Sequence, residues 1–95
     1  MADRRLQVFH TVARLLSFTK AAETLHMTQP AVTFQVRQLE EHFNTRLFDR
    51  THNRINLTEA GKQVFNYADK IFDLYAEMSN AVREVTGEVS GALVI

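Results

Sequence analysis

A mainly α-helical fold with one short hairpin and a long final helix is what this sequence predicts. Three observations predict it. Apolar residues recur at helical spacing in four stretches of the 95 residues, each preceded by an Asp, Ser or Thr placed to cap it. One stretch, Leu47 to Leu57, instead sets Phe48 on one arm and Ile55 and Leu57 on the other across a polar tip. The last helical stretch carries a heptad seam longer than a domain this small can cover by itself.

Taken in order, Asp3 to Leu16 forms an amphipathic helix with Leu6, Phe9, Val12, Ala13 and Leu16 on one face. Asp3 is its cap or first-turn carboxylate. Ser17 breaks the pattern and caps a second, short helix from Phe18 to Leu25, with Phe18, Ala22 and Leu25 inward. His26-Met27-Thr28 is a three-residue turn, and two helices so joined make a helix-turn-helix. Thr28 caps the third helix and Pro30 sits in its first turn, where no intrahelical bond is lost. One face of this helix carries Val32, Val36, Leu39 and Phe43. The other exposes Gln29, Pro30, Thr33, Phe34 and Arg37, too mixed a set for a merely solvated face. Asn44 ends the helix, as a residue that tolerates the left-handed conformation.

Leu47 to Leu57 reads as a two-stranded hairpin with Arg50-Thr51-His52-Asn53-Arg54 at its exposed tip, a wing. Its sequence shows no tight two-residue turn signature. Thr58 and Glu59 open the longest helix, and Gly61 stands where a side chain would obstruct the hairpin or the third helix. Val64, Ala68, Ile71, Tyr75, Met78, Val82 and Val85 then follow at intervals of 4, 3, 4, 3, 4 and 3, a dimerisation seam. Phe65, Tyr67, Phe72 and Leu74 widen its first half. Gly87 ends the helix. Gly91 to Ile95 reads as a β-strand cut short, so the chain is expected to be a piece of a longer protein.

Net charge is zero, with 11 Lys/Arg and 11 Asp/Glu, but it is unevenly placed. Residues 1–58 hold eight basic side chains against five acidic, and residues 59–95 hold three against six. A front half at +3 and a back half at −3 imply that only the front meets a polyanion. The third helix is therefore read as entering a DNA major groove, with Thr28, Gln29, Pro30, Thr33, Phe34 and Arg37 as its candidate DNA-binding residues and Lys20, Arg50, Thr51, Asn53 and Arg54 beside them. Gln29 suits an adenine edge, and the Thr33 methyl suits a thymine methyl. Phe34 is placed against DNA sugar or a thymine methyl. Arg50 and Arg54 on the wing suit phosphates, and Lys20, at the start of the second helix, is a further phosphate candidate. Arg4, Arg5, Arg14 and Arg46 read as surface charge, and Glu40 and Glu41 as surface charges or intrahelical partners.

Cysteine is absent, which excludes disulfides and thiolate metal sites and fits a cytoplasmic location. No apolar run reaches membrane-span length, and the N-terminus is not a signal peptide. The four histidines show no metal spacing. No phosphate loop and no nucleophile beside a base supports catalysis, and no cofactor is implied. A protein-interaction module is the alternative, a winged-helix scaffold whose long helix pairs with a different protein; zero net charge and Phe34 are its support.

The run AAxxLHxTQPAVxxQxxxLE at 21–40, LFxR at 47–50 and LTxAG at 57–61 is similar to the DNA-binding domain of LysR-type bacterial transcriptional regulators. The resemblance covers the whole chain. It implies a winged helix-turn-helix DNA-binding domain at 1–58, a linker helix at 59–87 that dimerises antiparallel, and the start of a truncated effector domain at 88–95. It also implies a small-molecule effector bound by that missing domain, and a tetramer as the full-length working unit. By matching position, Gln29, Pro30 and Thr33 would face bases. Arg54 would approach the minor groove or its phosphates, and Arg50 and Thr51 would set the wing on the backbone. Phe34 and Asn53 depart from the commoner pattern, each standing where the family often has Arg.

Overall fold

The computed structural model describes residues 3–87, so the strand expected at 91–95 and the effector-domain start at 88–95 lie outside the described residues. The order is α1 (Arg4–Leu15), α2 (Phe18–Leu25), α3 (Gln29–Phe43), β1 (Phe48–Thr51), β2 (Arg54–Leu57) and α4 (Glu59–Thr86). Each helix begins at its expected cap. The side chains of Asp3, Ser17, Thr28 and Thr58 accept hydrogen bonds from the N–H groups of Arg5, Lys20, Ala31 and Gly61. The Arg5 side chain also donates to Asp3, and this contact above all holds the Asp3 carboxyl below its ordinary pKa.

Helices α1, α2 and α3 pack around Val8, Phe9, Val12, Ala21, Val32 and Leu47, all fully buried. Phe48, from the first position of β1, closes this core, its ring 5.2 Å from Phe9 and 5.7 Å from Phe18. Ala21 and Ala22 are the small residues that let α2 approach its neighbours closely. Met27, in the turn between α2 and α3, is partly buried against this core.

Three core expectations need correction. Leu16 was placed inward but is half exposed, because the helix has already ended there. It takes the left-handed conformation at φ 51°, so helical periodicity no longer governs its direction. Val8 was omitted and is fully buried; the inward face of α1 runs 8, 9, 12 and 13. Phe43 closes the apolar stripe of α3 yet stays 47% exposed, one turn beyond the last core contact at Leu39.

The hairpin is antiparallel, pairing Phe48 with Leu57, Asp49 with Asn56, Arg50 with Ile55 and Thr51 with Arg54. His52 and Asn53 form a two-residue turn with φ of 54° and 60°. Positive φ at both central residues is the type I′ pattern, whose twist matches that of paired strands. The tip is thus two residues long, not five, and a tight turn exists where its usual Asn-Gly or Asp-Gly signature is missing. Asn53 has a backbone task here whatever else it does.

Glu40 is not a surface charge. Its Oε2 accepts from the backbone N–H of Leu47 at 2.8 Å and of Phe48 at 3.4 Å, with the Arg46 guanidinium 3.6 Å away. One carboxylate therefore fastens the base of the wing to α3. Glu40→Ala should destabilise the fold by about 2 kcal/mol, since a buried amide loses a charged acceptor. Glu40→Gln, which keeps one acceptor oxygen, should retain a large part of that stability in the same urea titration. Equal melting of all three proteins would disprove the clamp.

Helix α4 lies on the domain along its first half and faces α1 as far as Tyr75 and Ala76. Ala60, Val64 and Phe65 pack against the core, and Ala68 is fully buried. Across the interface with α1, the His10 ring stacks on Phe65 at 4.7 Å, meets Phe72 edge-on at 5.2 Å and bonds Asp69 through Nε2. Beyond that contact the helix projects, and the long axis of the molecule reaches 52 Å. No helix among the described residues is long and apolar enough to cross a membrane.

Candidate nucleic-acid interface

The geometry of α3 begins with the turn before it. His26 takes the left-handed conformation, its N–H reaching Ala22 and Glu23 carbonyls, and the Met27 N–H bonds Ala22 O at 2.9 Å. Thr28 then accepts from the Ala31 N–H at 3.3 Å, so its hydroxyl is already engaged in the cap.

Four of the five expected readers stand exposed on the outward side of α3: Gln29, Pro30, Phe34 and Arg37. Thr33 is half-buried. From Gln29 to Leu39 the helix has no acidic residue, and Glu40, the first, is turned onto the wing. The outward face therefore offers hydrogen-bonding groups, one cation and one bare ring, without a carboxylate to repel phosphate.

The wing completes a concave surface. Thr33 and Arg37 share a cleft with Arg46, Asp49 and Arg50. Gln29 shares a second cleft with Ser17, the cap of α2, with Thr19 of that helix and with Arg50, Asn53 and Arg54 from the wing. Arg50 borders both. Folding thus brings Gln29, Thr33, Arg37, Arg50, Asn53 and Arg54 into one neighbourhood from positions up to 25 apart in sequence. Thr51 pairs with Arg54 in the hairpin, and Lys20 stands exposed on the first turn of α2.

The seam of α4 divides in two. Ala68 is buried inside its own domain and Val64 is half-buried, whereas Ile71, Tyr75, Met78, Val82 and Val85 are 41, 39, 54, 56 and 87% exposed. Tyr67 and Leu74 add exposed apolar surface beside them. Between α1, the end of α3 and α4 lies an open apolar trough of about 520 Å³, lined by Leu6, Phe43, Val64, Tyr67 and Ile71 among others. No group of His, Asp and Glu placed to hold a metal occurs among the described residues. Sequence reasoning missed the Glu40 clamp and the His10–Asp69 contact. The latter joins residues 59 apart, a separation over which no periodic signal operates.

Comparison with known proteins places this geometry in a family. Residues 4–62 match the family described as bacterial regulatory helix-turn-helix protein, lysR family. The chain is similar to the RuBisCO operon transcriptional regulator of Allochromatium vinosum, with 46% identity over 90 residues, 95% of this chain and 30% of that protein. It is also 40% identical over 92 residues to the HTH-type transcriptional regulator CfxR of Cupriavidus necator, covering 97% of this chain and 29% of the relative. The chain thus spans under a third of the length of these relatives. Among solved structures, the BenM_DBD/catB site 1 DNA complex superposes with a TM-score of 0.84 at 30% identity, over 90% of this chain and 96% of that one. The CbnR_DBD–DNA complex gives 0.81 at 32%, over 90% and 99%. These are regulators rather than enzymes, and their fold is the winged helix-turn-helix seen here. The chain belongs to the LysR family of bacterial regulatory helix-turn-helix proteins.

Proposed function

We propose that this chain is the sequence-specific, double-stranded DNA-binding part of a cytoplasmic transcriptional regulator, acting as a dimer on a partly palindromic site. The observation that carries this is the outward face of α3, free of acidic residues over its first eleven positions and flanked by Arg50 and Arg54 of the wing. In this reading α3 enters the major groove, with Gln29, Pro30 and Thr33 toward base edges and Arg37 beside them. The wing lies over the adjacent minor groove, with Arg54 foremost and Arg50, Thr51 and Asn53 against the backbone. Lys20 and the capped start of α2 would approach phosphate from the other side.

In this reading 1–58 binds DNA, 59–87 links and dimerises, and 88–95 begins an effector domain that takes a small molecule. The full-length protein would then be a tetramer. That solved relatives are described as complexes with DNA supports the reading. Phe34, the one large apolar side chain exposed on that face of α3, gives the interaction-module alternative little there, and sedimentation of the isolated chain decides whether α4 pairs with a second copy instead of a different protein.

Selection of bound sequences from a random duplex pool tests the proposal. A partly symmetric motif should emerge, with half-sites one or two helical turns apart. Gln29→Ala and Thr33→Ala should each cost roughly 1–3 kcal/mol on the selected site and relax discrimination at one base pair. Affinity should fall steeply with added salt, because phosphate contacts release counterions. Unchanged discrimination in both variants would remove these residues as base readers, and a flat salt response would remove DNA as the partner.

A further inference from the structure

We propose that Phe34 reads a thymine 5-methyl group and so fixes one specificity position in each half-site. The proposal deepens the DNA-binding reading above and rests on it. Phe34 is 57% exposed on the second turn of α3. Pro30, four residues before it, and Arg37, three after, lie on the same ridge, and both are exposed. Thr33 and Arg37 border the cleft shared with β1, whereas the ring of Phe34 projects about 100° further round the helix from Thr33.

The other exposed large apolar side chain of α3 is Phe43, nine residues on and at the trough beside α4. Ile71 and Met78 belong to the heptad seam of α4, and Leu16 lies in the turn before α2. A single ring at the start of α3 is too little for a protein interface of ordinary size. It does match the scale of one methyl group.

The chemistry then selects the base. A phenyl ring offers neither donor nor acceptor. The major-groove edge of every base pair displays hydrogen-bonding groups, and its apolar projection is the methyl of thymine. Against a cytosine N4 amino group the ring would strip water from a donor without replacing the bond. Against thymine it covers a methyl and leaves the polar edge to Gln29. Sugar contact is the competing placement, but the walls of a groove are met by the flanks of an inserted helix. Phe34 occupies the outward ridge.

The test uses the duplex selected from the random pool, with each thymine replaced singly by deoxyuracil, which removes only the methyl. The parent chain should lose about fourfold in affinity at one thymine per half-site, the transfer value of a single methyl group. Phe34→Ala should bind the thymine and deoxyuracil duplexes equally there, with an unchanged melting temperature, and Phe34→Leu should restore part of the preference. A parent chain indifferent to every replacement would overturn the proposal. So would a preference that survives unchanged in Phe34→Ala, since another residue would then hold the methyl. Absence of any salt-dependent binding is a distinct result, which overturns the DNA reading itself.

Discussion

Gly61→Ala is expected to destabilise this domain by about 3 kcal/mol, the upper end of ordinary overpacking costs. In a chain of this size that corresponds to a fall of roughly 12–24 °C in melting temperature. Helix propensity alone predicts the opposite sign, because alanine is worth about 1 kcal/mol more than glycine inside a helix. The difference lies in what the new methyl would meet. A Cβ on Gly61 would fall 2.1 Å from the carbonyl oxygen of Leu47, 3.1 Å from its carbon and 3.0 Å from a methyl of Leu57. The obstacle is backbone, and it is held from several sides. Leu47 O accepts from the Thr58 N–H at 3.0 Å, its N–H is bound by Glu40, and its side chain is fully buried. To admit the methyl, α4 must lift from the wing, losing the contacts of Ala60 and Val64 as well. A thermal melt decides the matter. A variant as stable as its parent, or more so, would show that the base of the wing yields more easily than this packing implies.

The start of each helix was legible because a cap is a local device. Asp3, Ser17, Thr28 and Thr58 each bond an N–H two or three residues ahead, so sequence spacing alone carries the information. Asn44 and Gly87 announced the ends of α3 and α4 for the same reason, as residues that accept positive φ. Leu16 did not, since nothing in a leucine signals a left-handed conformation. The wing's His52-Asn53 turn was hidden likewise: strand pairing demands positive φ at both residues, and neither is glycine.

The site was legible in part. The outward residues of α3 could be read from what the inward stripe left over. What could not be read is how the wing meets them, because that depends on Glu40 drawing the Leu47 and Phe48 amides onto α3. A carboxylate that caps no helix but serves a distant backbone has no sequence signature. The seam was legible in period but not in partner. The heptad repeat runs through Ala68 without interruption, although the structure devotes Ala68 to its own core and leaves Met78, Val82 and Val85 more than half exposed.

Replacing Met78 and Val82 together by glutamate is expected to abolish self-association and weaken binding to a two-half-site duplex by roughly 10²–10⁴-fold. Both side chains are more than half exposed, so the change should leave the monomer's melting temperature close to the parent's. Its effect would fall on the pairing of two α4 helices. The distribution of apolar surface favours an antiparallel pair. In a parallel pair the projecting halves of α4 would cover each other, and the trough lined by Leu6, Phe43, Tyr67 and Ile71 would stay open to water on both copies. In an antiparallel pair the projecting half of each helix lies toward the trough of the other, so one contact covers both surfaces. The same arrangement sets two α3 helices at opposite ends of a rigid rod, with their separation fixed by helix length. With Phe34 and Asn53 uncharged, a single domain has few cations to spend on phosphate, and effective concentration must supply much of the affinity. Sedimentation of the parent at tens of micromolar should give a dimer and the double variant a monomer. Titration against a duplex bearing one half-site should then separate them little. If the parent itself sediments as a monomer, or if the variant loses as much affinity for one half-site as for two, α4 is not what couples the two recognition helices.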